Sequence, residues 1–307
     1  MYKPKVIVIC GPTASGKTAL SIELAKKING EIISCDSMQI YKDMNIGTAK
    51  VTEDEMQGIC HYLIDFVSPD ERYSVADYKV DSEKAIEKII SKGKTPIIVG
   101  GTGLYVDSLI YGIEYPEIKF DEKYRNELEK EADEKGLETL YNKAKEIDEQ
   151  AMQKISINDR KRIIRVLEIY HATGKNKTEQ EIESRKKEIK YDYKIFAINM
   201  DREKLYERIN IRVDRMLENG LIEEVENLQK KYNHFPTAMQ GLGYKEVVEY
   251  LQSQITREEM IEKIKQESRR YAKRQLTWFR KNKQTIWIDG LANLKDNINI
   301  IEKELNK

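Results

Sequence analysis

The sequence contains a complete phosphate-binding loop close to its first residues. Residues 11–18, GPTASGKT, match the pattern G-x-x-x-x-G-K-[ST], with an apolar run before them and an apolar helical repeat after them. In such a loop, backbone N–H groups and the positive end of the following helix surround a phosphate. Lys17 would supply a point charge, and the Thr18 hydroxyl could ligate Mg²⁺. The loop therefore predicts a phosphorylated ligand, without saying whether that ligand is a nucleotide.

An acidic residue follows the next apolar run of the chain. Asp36, in ISCDSMQIY, comes just after a predicted strand, at the edge where open α/β sheets bind their ligands. Its carboxylate could hold Mg²⁺ or act as a general base beside the phosphate site. Asp-Ser pairs are also common at helix N-termini, so a cap without chemistry is the alternative interpretation.

A glycine-rich turn, VGGTG, ends another apolar run at residues 99–103. An ordinary ATPase would be expected to carry a metal-holding Asp at the end of this strand. Here glycines permit close backbone approach and Thr102 offers a hydroxyl, although a plain turn would have the same composition. The missing acid argues against nucleotide hydrolysis.

Local basic clusters are the candidates for binding nucleic acid, because Lys+Arg and Asp+Glu balance at 53 each. One cluster is NDRKRIIR, residues 158–165, at a predicted helix start. The other, RRYAKRQLTWFRKNK at 269–283, contains no acid and includes Tyr271 and Trp278, which could stack on bases. The alternative for both is a solvated helix face. Similarly, Arg208 and Arg212, one helical turn apart, could neutralise phosphate charge or only pair with nearby acids.

Alternating strands and helices must position these residues. The predicted strands are KVIVIC near the N-terminus, 31–35, 61–66, TPIIVG before the glycine turn, 193–200 and 284–289. Fully apolar strands alternating with helices indicate a parallel sheet that is covered on both faces. We therefore predict an α/β fold: a P-loop core with a mainly parallel sheet, at 1–118 and 193–307, interrupted by an all-helical domain at 119–192.

Several classes of protein are disfavoured by composition. Cys10, Cys35 and Cys60 have no C-x-x-C spacing, so we expect reduced thiols in or near the core and no zinc site. No apolar run approaches the ~18 residues of a membrane span, and the first residues leave no room for a signal peptide. We expect a cytoplasmic protein that does not associate with membranes. The absence of heptad repeats favours a monomer.

The ordered motifs together resemble the tRNA dimethylallyltransferase (tRNA isopentenyltransferase) family. They are GPTASGKT, CDSMQIYKDMNIGTAK, VGGTGLY, NDRKRIIRVLE, AMQGLGYKE and AKRQLTWFRK, and they extend from about residue 6 to 290. Val51 departs from the family, which often has Pro there. The zinc-finger extension of eukaryotic relatives is absent, so the chain is similar to the bacterial type.

The resemblance implies a reaction and roles for its residues. The loop would bind the diphosphate of dimethylallyl diphosphate, and the five-carbon group would pass to the exocyclic N6 amine of the adenosine just 3′ of the tRNA anticodon. Asp36 would be the general base. Lys17, Mg²⁺ held through Thr18, and Arg208 would stabilise the leaving diphosphate. The diphosphate loop would comprise Gly11, Pro12, Thr13, Ala14, Ser15, Gly16, Lys17 and Thr18.

The resemblance also implies contacts with the anticodon stem–loop of tRNA. These would come from the segment after the second strand, the glycine turn, the helical insertion and two later segments. The residues are Asp36, Ser37, Met38, Gln39, Thr102, Arg125, Lys161, Arg162, Arg165, Gln240, Gly241, Leu242, Gly243, Tyr244, Lys245, Lys273, Arg274, Gln275, Trp278 and Arg280.

Three other functions are compatible with a P-loop core. The chain could be a small-molecule kinase, although it lacks the second metal-holding acid. It could prenylate free adenine nucleotides, which would leave the basic clusters without an evident purpose. It could also be an RNA-binding protein switched by a nucleotide. Whether ATP enters the loop is left open by the sequence.

Overall fold

Short apolar runs form one parallel sheet, as the sequence pattern predicts. The computed structural model describes residues 3–115, 121–184 and 188–306. Its strands are β1 Lys5–Cys10, β2 Gly30–Cys35, β3 His61–Tyr62, β4 Thr95–Gly100, β5 Asp192–Asn199 and β6 Ile286–Asp289. The six strands are ordered β3-β2-β4-β1-β5-β6, and every pairing is parallel. The predicted α/β fold class is confirmed.

One predicted strand is much shorter than its apolar run. Only His61 and Tyr62 pair with β2, whereas the prediction extended to residue 66. Leu63 and Asp65 adopt left-handed backbone conformations, with φ of 57° and 58°. A strand requires extended backbone, so these two residues end β3.

Helices connect the strands and supply the rest of the chain. In order they are α1 Lys17–Ile28, α2 Glu53–Met56, α3 Val75–Ser91, α4 Gly103–Ile110, α5 Glu122–Lys135, α6 Leu137–Ile147, α7 Glu149–Met152, α8 Arg160–Thr173, α9 Lys177–Ser184, α10 Arg202–Glu218, α11 Leu221–Lys231, α12 Tyr244–Leu251, α13 Arg257–Phe279 and α14 Leu294–Leu305. Asp201 caps α10, since its side chain accepts hydrogen bonds from the backbone N–H groups of Glu203 and Lys204.

The chain divides into two compact units. The larger comprises Met1–Val106 with Lys190–Lys307, and the smaller comprises Asp107–Ile189. In the smaller unit the helices bury an apolar cluster that includes Leu140, Met152 and Ile163. Gly136 separates α5 from α6 with φ of 85°, a conformation that glycine adopts without steric cost.

Both faces of the sheet in the larger unit are covered. On one face, Ile7, Ile9 and Phe196 pack with residues of α1 and α14. On the other face α3 packs against β2 and β4, and Val6 and Val8 are buried. Successive strand residues point to opposite faces, which explains why the strands are apolar throughout.

A second apolar cluster of the larger unit supports the segment after β2. Ile40, Tyr41 and Met44 pack there against residues of α11, α12 and α13, including Val225 and Ile264. This cluster fixes the segment that begins with Asp36.

The cysteines and helices agree in part with the expectations from composition. None of the three cysteines forms a disulfide; Cys10 and Cys35 are buried, whereas Cys60 is exposed, although its carbonyl oxygen accepts a hydrogen bond from the buried Ile32. Within 3–115, 121–184 and 188–306, no helix is long and apolar enough to cross a membrane.

A buried carboxylate at the start of β2 makes folding stability dependent on pH. Glu31 accepts hydrogen bonds from Lys94 Nζ at 2.8 Å, Lys92 Nζ at 3.0 Å and Tyr62 Oη at 2.7 Å. Burial raises the pKa of Glu31, but these hydrogen bonds outweigh it and lower the pKa from 4.5 to about 2. The stabilisation is therefore complete above the unfolded pKa and is lost as the pH falls toward 2.

Replacing this carboxylate should destabilise the fold only where it is ionised. We expect Glu31→Gln to lower the free energy of unfolding at pH 7 by up to ~3 kcal/mol, because one pKa unit corresponds to about 1.4 kcal/mol. The loss should shrink between pH 4.5 and 2. Denaturant titrations at several pH values would measure it, with the exposed Glu127→Gln as control. An equal loss at pH 7 and pH 2.5 would contradict the prediction.

Candidate active site

The phosphate loop connects the end of β1 to the start of α1. Gly16 has φ of 92° and stands at the N-cap of α1, where no side chain caps the helix. The first N–H groups of the helix are thus available to an anion, and the helix dipole favours negative charge there. Ser15 is buried, and its hydroxyl has no hydrogen-bond partner among the described residues. Thr18 is exposed on the first turn.

The loop lysine folds back onto the loop. Lys17 Nζ donates to the carbonyl oxygens of Pro12 at 2.7 Å and Gly11 at 3.1 Å. Burial lowers the pKa of Lys17 to about 8, repulsion from Arg212 acts in the same direction, and Asp36 opposes both. A bound anion would relieve this repulsion, because it would place negative charge between the two cations.

The aspartate at the end of β2 closes a turn. Asp36 Oδ1 accepts hydrogen bonds from the backbone N–H groups of Met38 at 2.9 Å and Gln39 at 3.3 Å, and a turn follows it instead of a helix. Asp36 therefore caps no helix. Its Oδ2 makes no hydrogen bond within the part of the chain that the structure describes. One carboxylate oxygen is held by the turn, and the other remains available for a proton.

The glycine turn after β4 lies directly against this segment. Thr102 Oγ1 accepts a hydrogen bond from Ser37 N at 3.0 Å, and Thr102 N donates to Cys35 O at 3.2 Å. A Cβ on Gly100 would clash with the backbone of Cys35. The turn is thus a close backbone approach that fixes the position of Ser37 beside Asp36.

Arg212, and not Arg208, is among the residues that line the cavity described below. Arg208 lies exposed on α10. Arg212, one turn later, lines a cavity and donates from Nη2 to Thr48 O at 3.2 Å. Burial lowers the pKa of Arg212, while Asp36 raises it. Most of the donor groups of this guanidinium have no partner within the described residues, so it is suited to bind an anion.

A cavity of about 320 Å³ opens beside these residues. Asp36, Thr13 and Arg212 supply polar groups, and an apolar wall comes from α10 and α13. The wall consists of Ile209, Val213, Met216 and Ile264. The cavity can therefore accept a molecule with an anionic end and an apolar end. Sequence reasoning missed the wall, although Ile209, Val213 and Met216 recur at helical spacing around Arg212.

The predicted segment 240–245 also lines the cavity. All six predicted residues are there, together with Ser37 and Met38. A Cβ on Gly241 would clash with Met38, and the buried Glu246 accepts a hydrogen bond from Gly243 N at 2.7 Å. Gln39 is instead bound to the segment between β2 and α2, since its Nε2 donates to Thr48 O and Ala49 O at 3.2 Å.

The predicted residues of α13 have different surroundings. Lys273, Arg274 and Arg280 are exposed; Arg280 directly follows the last residue of α13, and Arg274 also lines the cavity. The indole of Trp278 packs so closely on Gly103 that a Cβ there would clash with it. Gln275, which the sequence assigns to a tRNA contact, is buried, and its side chain contacts the phosphate loop.

Salt bridges occupy several predicted residues of the smaller unit. Arg125 Nη1 lies 3.0 Å from Glu168 Oε1, and Arg165 Nη1 lies 3.3 Å from Glu168 Oε2. Arg162 pairs with Asp159 at 3.3 Å, while Lys161 is exposed. Both Arg162 and Arg165 remain largely accessible, so these pairs are weak and can exchange for other anions.

The protein can supply only part of the coordination shell of a Mg²⁺ ion at this site, so a substrate would have to supply further ligands. Among residues 3–115, 121–184 and 188–306, no group of three or more His, Cys, Asp or Glu side chains could hold a metal ion. Mg²⁺ commonly takes one or two protein oxygens and completes its shell with substrate phosphates and water. The exposed hydroxyl of Thr18 is compatible with that arrangement.

Sequence comparisons identify close relatives over nearly the whole chain. The family model described as IPP transferase matches residues 39–282. The chain is 55% identical to a tRNA dimethylallyltransferase of Acetivibrio thermocellus over 285 residues, which cover 92% of this chain and 91% of the relative. It is 47% identical to one of Bacillus anthracis over 289 residues, covering 94% and 92%.

Solved structures share the fold as well. A full-length tRNA isopentenylpyrophosphate transferase from Bacillus halodurans matches with a TM-score of 0.74 at 42% identity, covering 99% of this chain and 96% of that one. A eukaryotic dimethylallyltransferase acting on tRNA matches with a TM-score of 0.79 at 35% identity, covering 94% and 74%.

The two arginines of α10 should differ in anion binding. We expect Arg212→Gln to weaken the binding of inorganic diphosphate at least about tenfold, because hydrogen bonds to charged groups contribute ~1.5–3 kcal/mol each. Arg208→Gln removes the same charge from an exposed position and should change the affinity less than twofold. Isothermal titration calorimetry would measure both variants. Equal effects, or a larger effect of Arg208→Gln, would refute the assignment.

Proposed function

This chain belongs to the tRNA dimethylallyltransferase family, and from that premise we propose how its residues carry out the reaction. Members of this family are transferases, and the chain prenylates the adenosine that follows the tRNA anticodon. The observation that carries the proposal is the position of Asp36, whose Oδ2 makes no hydrogen bond within the described residues, beside two half-buried cations, Lys17 and Arg212; Asp36 and Arg212 also line the cavity.

The phosphate loop binds the diphosphate of dimethylallyl diphosphate. Loop N–H groups, Lys17 and Arg212 surround the anion, and the apolar wall of the cavity accepts the five-carbon chain. As the allylic C–O bond breaks, its electron pair leaves with the diphosphate. Charge that develops there is stabilised by cations which are already in position, so little reorganisation is needed.

Asp36 acts as the general base toward the acceptor amine. The N6 lone pair of adenine is delocalised into the ring, so the amine is a weak nucleophile. It attacks the allylic carbon while its proton passes to Asp36 Oδ2, the oxygen that the turn leaves unbound. The reaction thus forms one C–N bond, breaks one C–O bond and moves one proton to the carboxylate.

Mg²⁺ is the proposed cofactor, held by the Thr18 hydroxyl together with the diphosphate. It would neutralise charge on the leaving group. Ser15, whose buried hydroxyl has no partner among the described residues, lies in the same loop and can donate to a phosphate oxygen.

The acceptor is the anticodon stem–loop of tRNA. The adenine must leave the base stack to reach Asp36. Ser37, Met38 and residues 240–245 line the cavity, Thr102 is hydrogen-bonded to Ser37, and exposed basic residues at the end of α13 are available for the RNA backbone. We assign Lys161, Arg162 and Arg165 of the smaller unit to the same partner. The enzyme is proposed to act as a cytoplasmic monomer.

A direct test is incubation with Mg²⁺, dimethylallyl diphosphate and unmodified tRNA, followed by mass analysis of the nucleosides. A gain of one five-carbon group on adenosine is the expected result. Free adenosine monophosphate serves as a second acceptor and should remain unmodified. Modification of the free nucleotide alone would refute tRNA as the acceptor.

The carboxylate of Asp36 can be tested without disturbing its turn. In Asp36→Asn the amide oxygen still accepts from the N–H groups of Met38 and Gln39, but the base is lost. We expect turnover to fall by ~10²–10⁴-fold, the usual contribution of a general base, with donor and tRNA affinities kept. Single-turnover kinetics would measure this.

Asp36→Ala serves as the comparison, because it loses both the base and the turn. Its turnover should be at least as low, and its tRNA affinity should also fall. Near wild-type turnover of Asp36→Asn would rule out the general-base role.

The basic residues of α13 should set the salt dependence of tRNA binding. Arg280→Ala should weaken tRNA binding and reduce the slope of log K against log salt by about one for each lost phosphate contact. Filter binding at several salt concentrations measures the slope. The exposed Lys295→Ala, on α14, removes one charge elsewhere and should leave the slope unchanged. An unaltered slope in Arg280→Ala would indicate a solvated helix face.

A further inference from the structure

The side chain of Gln275 joins two loops of the active site. Its Oε1 accepts a hydrogen bond from Thr13 N at 2.9 Å, and its Nε2 donates to Gly101 O at 2.9 Å. The amide orientation is unambiguous, because a backbone N–H can only donate and a carbonyl can only accept. Gln275 is 6% exposed. Both polar atoms of this buried amide are therefore engaged with backbone groups.

Gln275 holds the phosphate loop at a point of backbone strain. Thr13 is followed by Ala14, whose φ of 61° lies in the left-handed region that residues with a Cβ rarely adopt. Such a conformation persists only where the surroundings impose it. Ala14 also packs against the apolar cluster that contains Ala272 and Leu276 of α13. Three residues of one helix, at i, i+3 and i+4, thus support the loop.

The second loop is shaped to receive the same amide. A Cβ on Gly101 would clash with Gln275 Nε2. Glycine at this position therefore allows the side chain to reach the carbonyl oxygen. The next residue, Thr102, accepts the hydrogen bond from Ser37 beside Asp36. Through its hydrogen bonds to Thr13 and Gly101, the side chain of Gln275 sets the distance between the phosphate loop and the glycine turn that lies beside the Asp36 segment.

We propose that Gln275 is a positioning residue for the donor diphosphate, which it serves by fixing the phosphate loop, and that it does not contact tRNA. The inference rests on the proposed diphosphate role of the loop. Burial prevents the amide from reaching RNA, although its neighbours Arg274 and Arg280 are exposed. One helix therefore presents basic residues outward and supports the donor loop inward.

Two variants distinguish donor positioning from RNA contact. Gln275→Ala removes both hydrogen bonds and should weaken the binding of inorganic diphosphate and dimethylallyl diphosphate about tenfold, while tRNA affinity changes less than twofold. Arg280→Ala should show the opposite pattern. Calorimetry with Mg²⁺ measures the diphosphates, and filter binding measures tRNA. Gln254→Ala is the matched control, because Gln254 is an exposed glutamine in the connection between α12 and α13.

Gln275→Glu supplies a readout that a general loss of stability would not produce. Its carboxylate can still accept from Thr13 N, but it faces the Gly101 carbonyl oxygen and repels it. When protonated, the carboxyl can donate as the amide does, and burial favours the protonated form. The donor-affinity deficit relative to wild type should therefore shrink several-fold as the pH falls from 8 to 5.5.

The outcomes separate this inference from the proposed function. If the wild type binds diphosphate and Lys17→Ala abolishes that binding, the role of the loop stands and the variants of Gln275 test the inference alone. A wild type without diphosphate binding would refute the proposed function itself. Three results would overturn the inference: unchanged affinity of Gln275→Ala for the diphosphates, equal weakening of its diphosphate and tRNA binding, or a loss of donor affinity in Gln275→Glu that does not depend on pH.

Discussion

The site depends on the register of three parallel strands. Cys10 at the end of β1 and Cys35 at the end of β2 both pair with Gly100 at the end of β4. The phosphate loop, the Asp36 turn and the glycine turn therefore leave the sheet at one level. A shift in register would separate them, since Asp36 and Lys17 follow different strands of the sheet. Gly100 is essential to this arrangement, because a side chain there would clash with the backbone of Cys35.

The charges at the ends of these strands favour the binding of an anion. Lys17 and Arg212 are cations in a desolvated environment, and Asp36 is the acid whose charge acts on both. Without an anion, Lys17 donates to carbonyl oxygens of its own loop. These two half-buried cations and Asp36 together carry an excess of one positive charge. A diphosphate compensates it, and the same cations stabilise the diphosphate as it leaves.

Helix α13 links these parts with the surface. Its buried positions Ala272, Gln275 and Phe279 face the core. The exposed positions carry Lys273, Arg274 and Arg280. The two faces have different functions in the proposed reaction, so neighbouring residues of one basic segment do not share a partner.

The sequence by itself determined the fold class and the residues at the strand ends, because both follow from local patterns. Apolar strands of β-branched residues specify a buried parallel sheet, and GPTASGKT specifies an anion-binding helix N-terminus. Asp36 and Thr102 were found for the same reason, since position after a strand places a residue at the binding edge. Family resemblance then predicted the reaction, which the comparisons support.

Only the tertiary structure decided which side chains meet. Arg208 and Arg212 are both arginines on α10, one helical turn apart. Packing of α10 leaves Arg208 exposed and directs Arg212 to the cavity. Gln275 lies within a basic segment that predicts RNA contact, yet its hydrogen bonds to Thr13 and Gly101 cross 262 and 174 residues of sequence. Contacts of this range depend on how helices are rotated and packed. Local sequence patterns carry no information on such rotations, so residue types alone could not assign these roles.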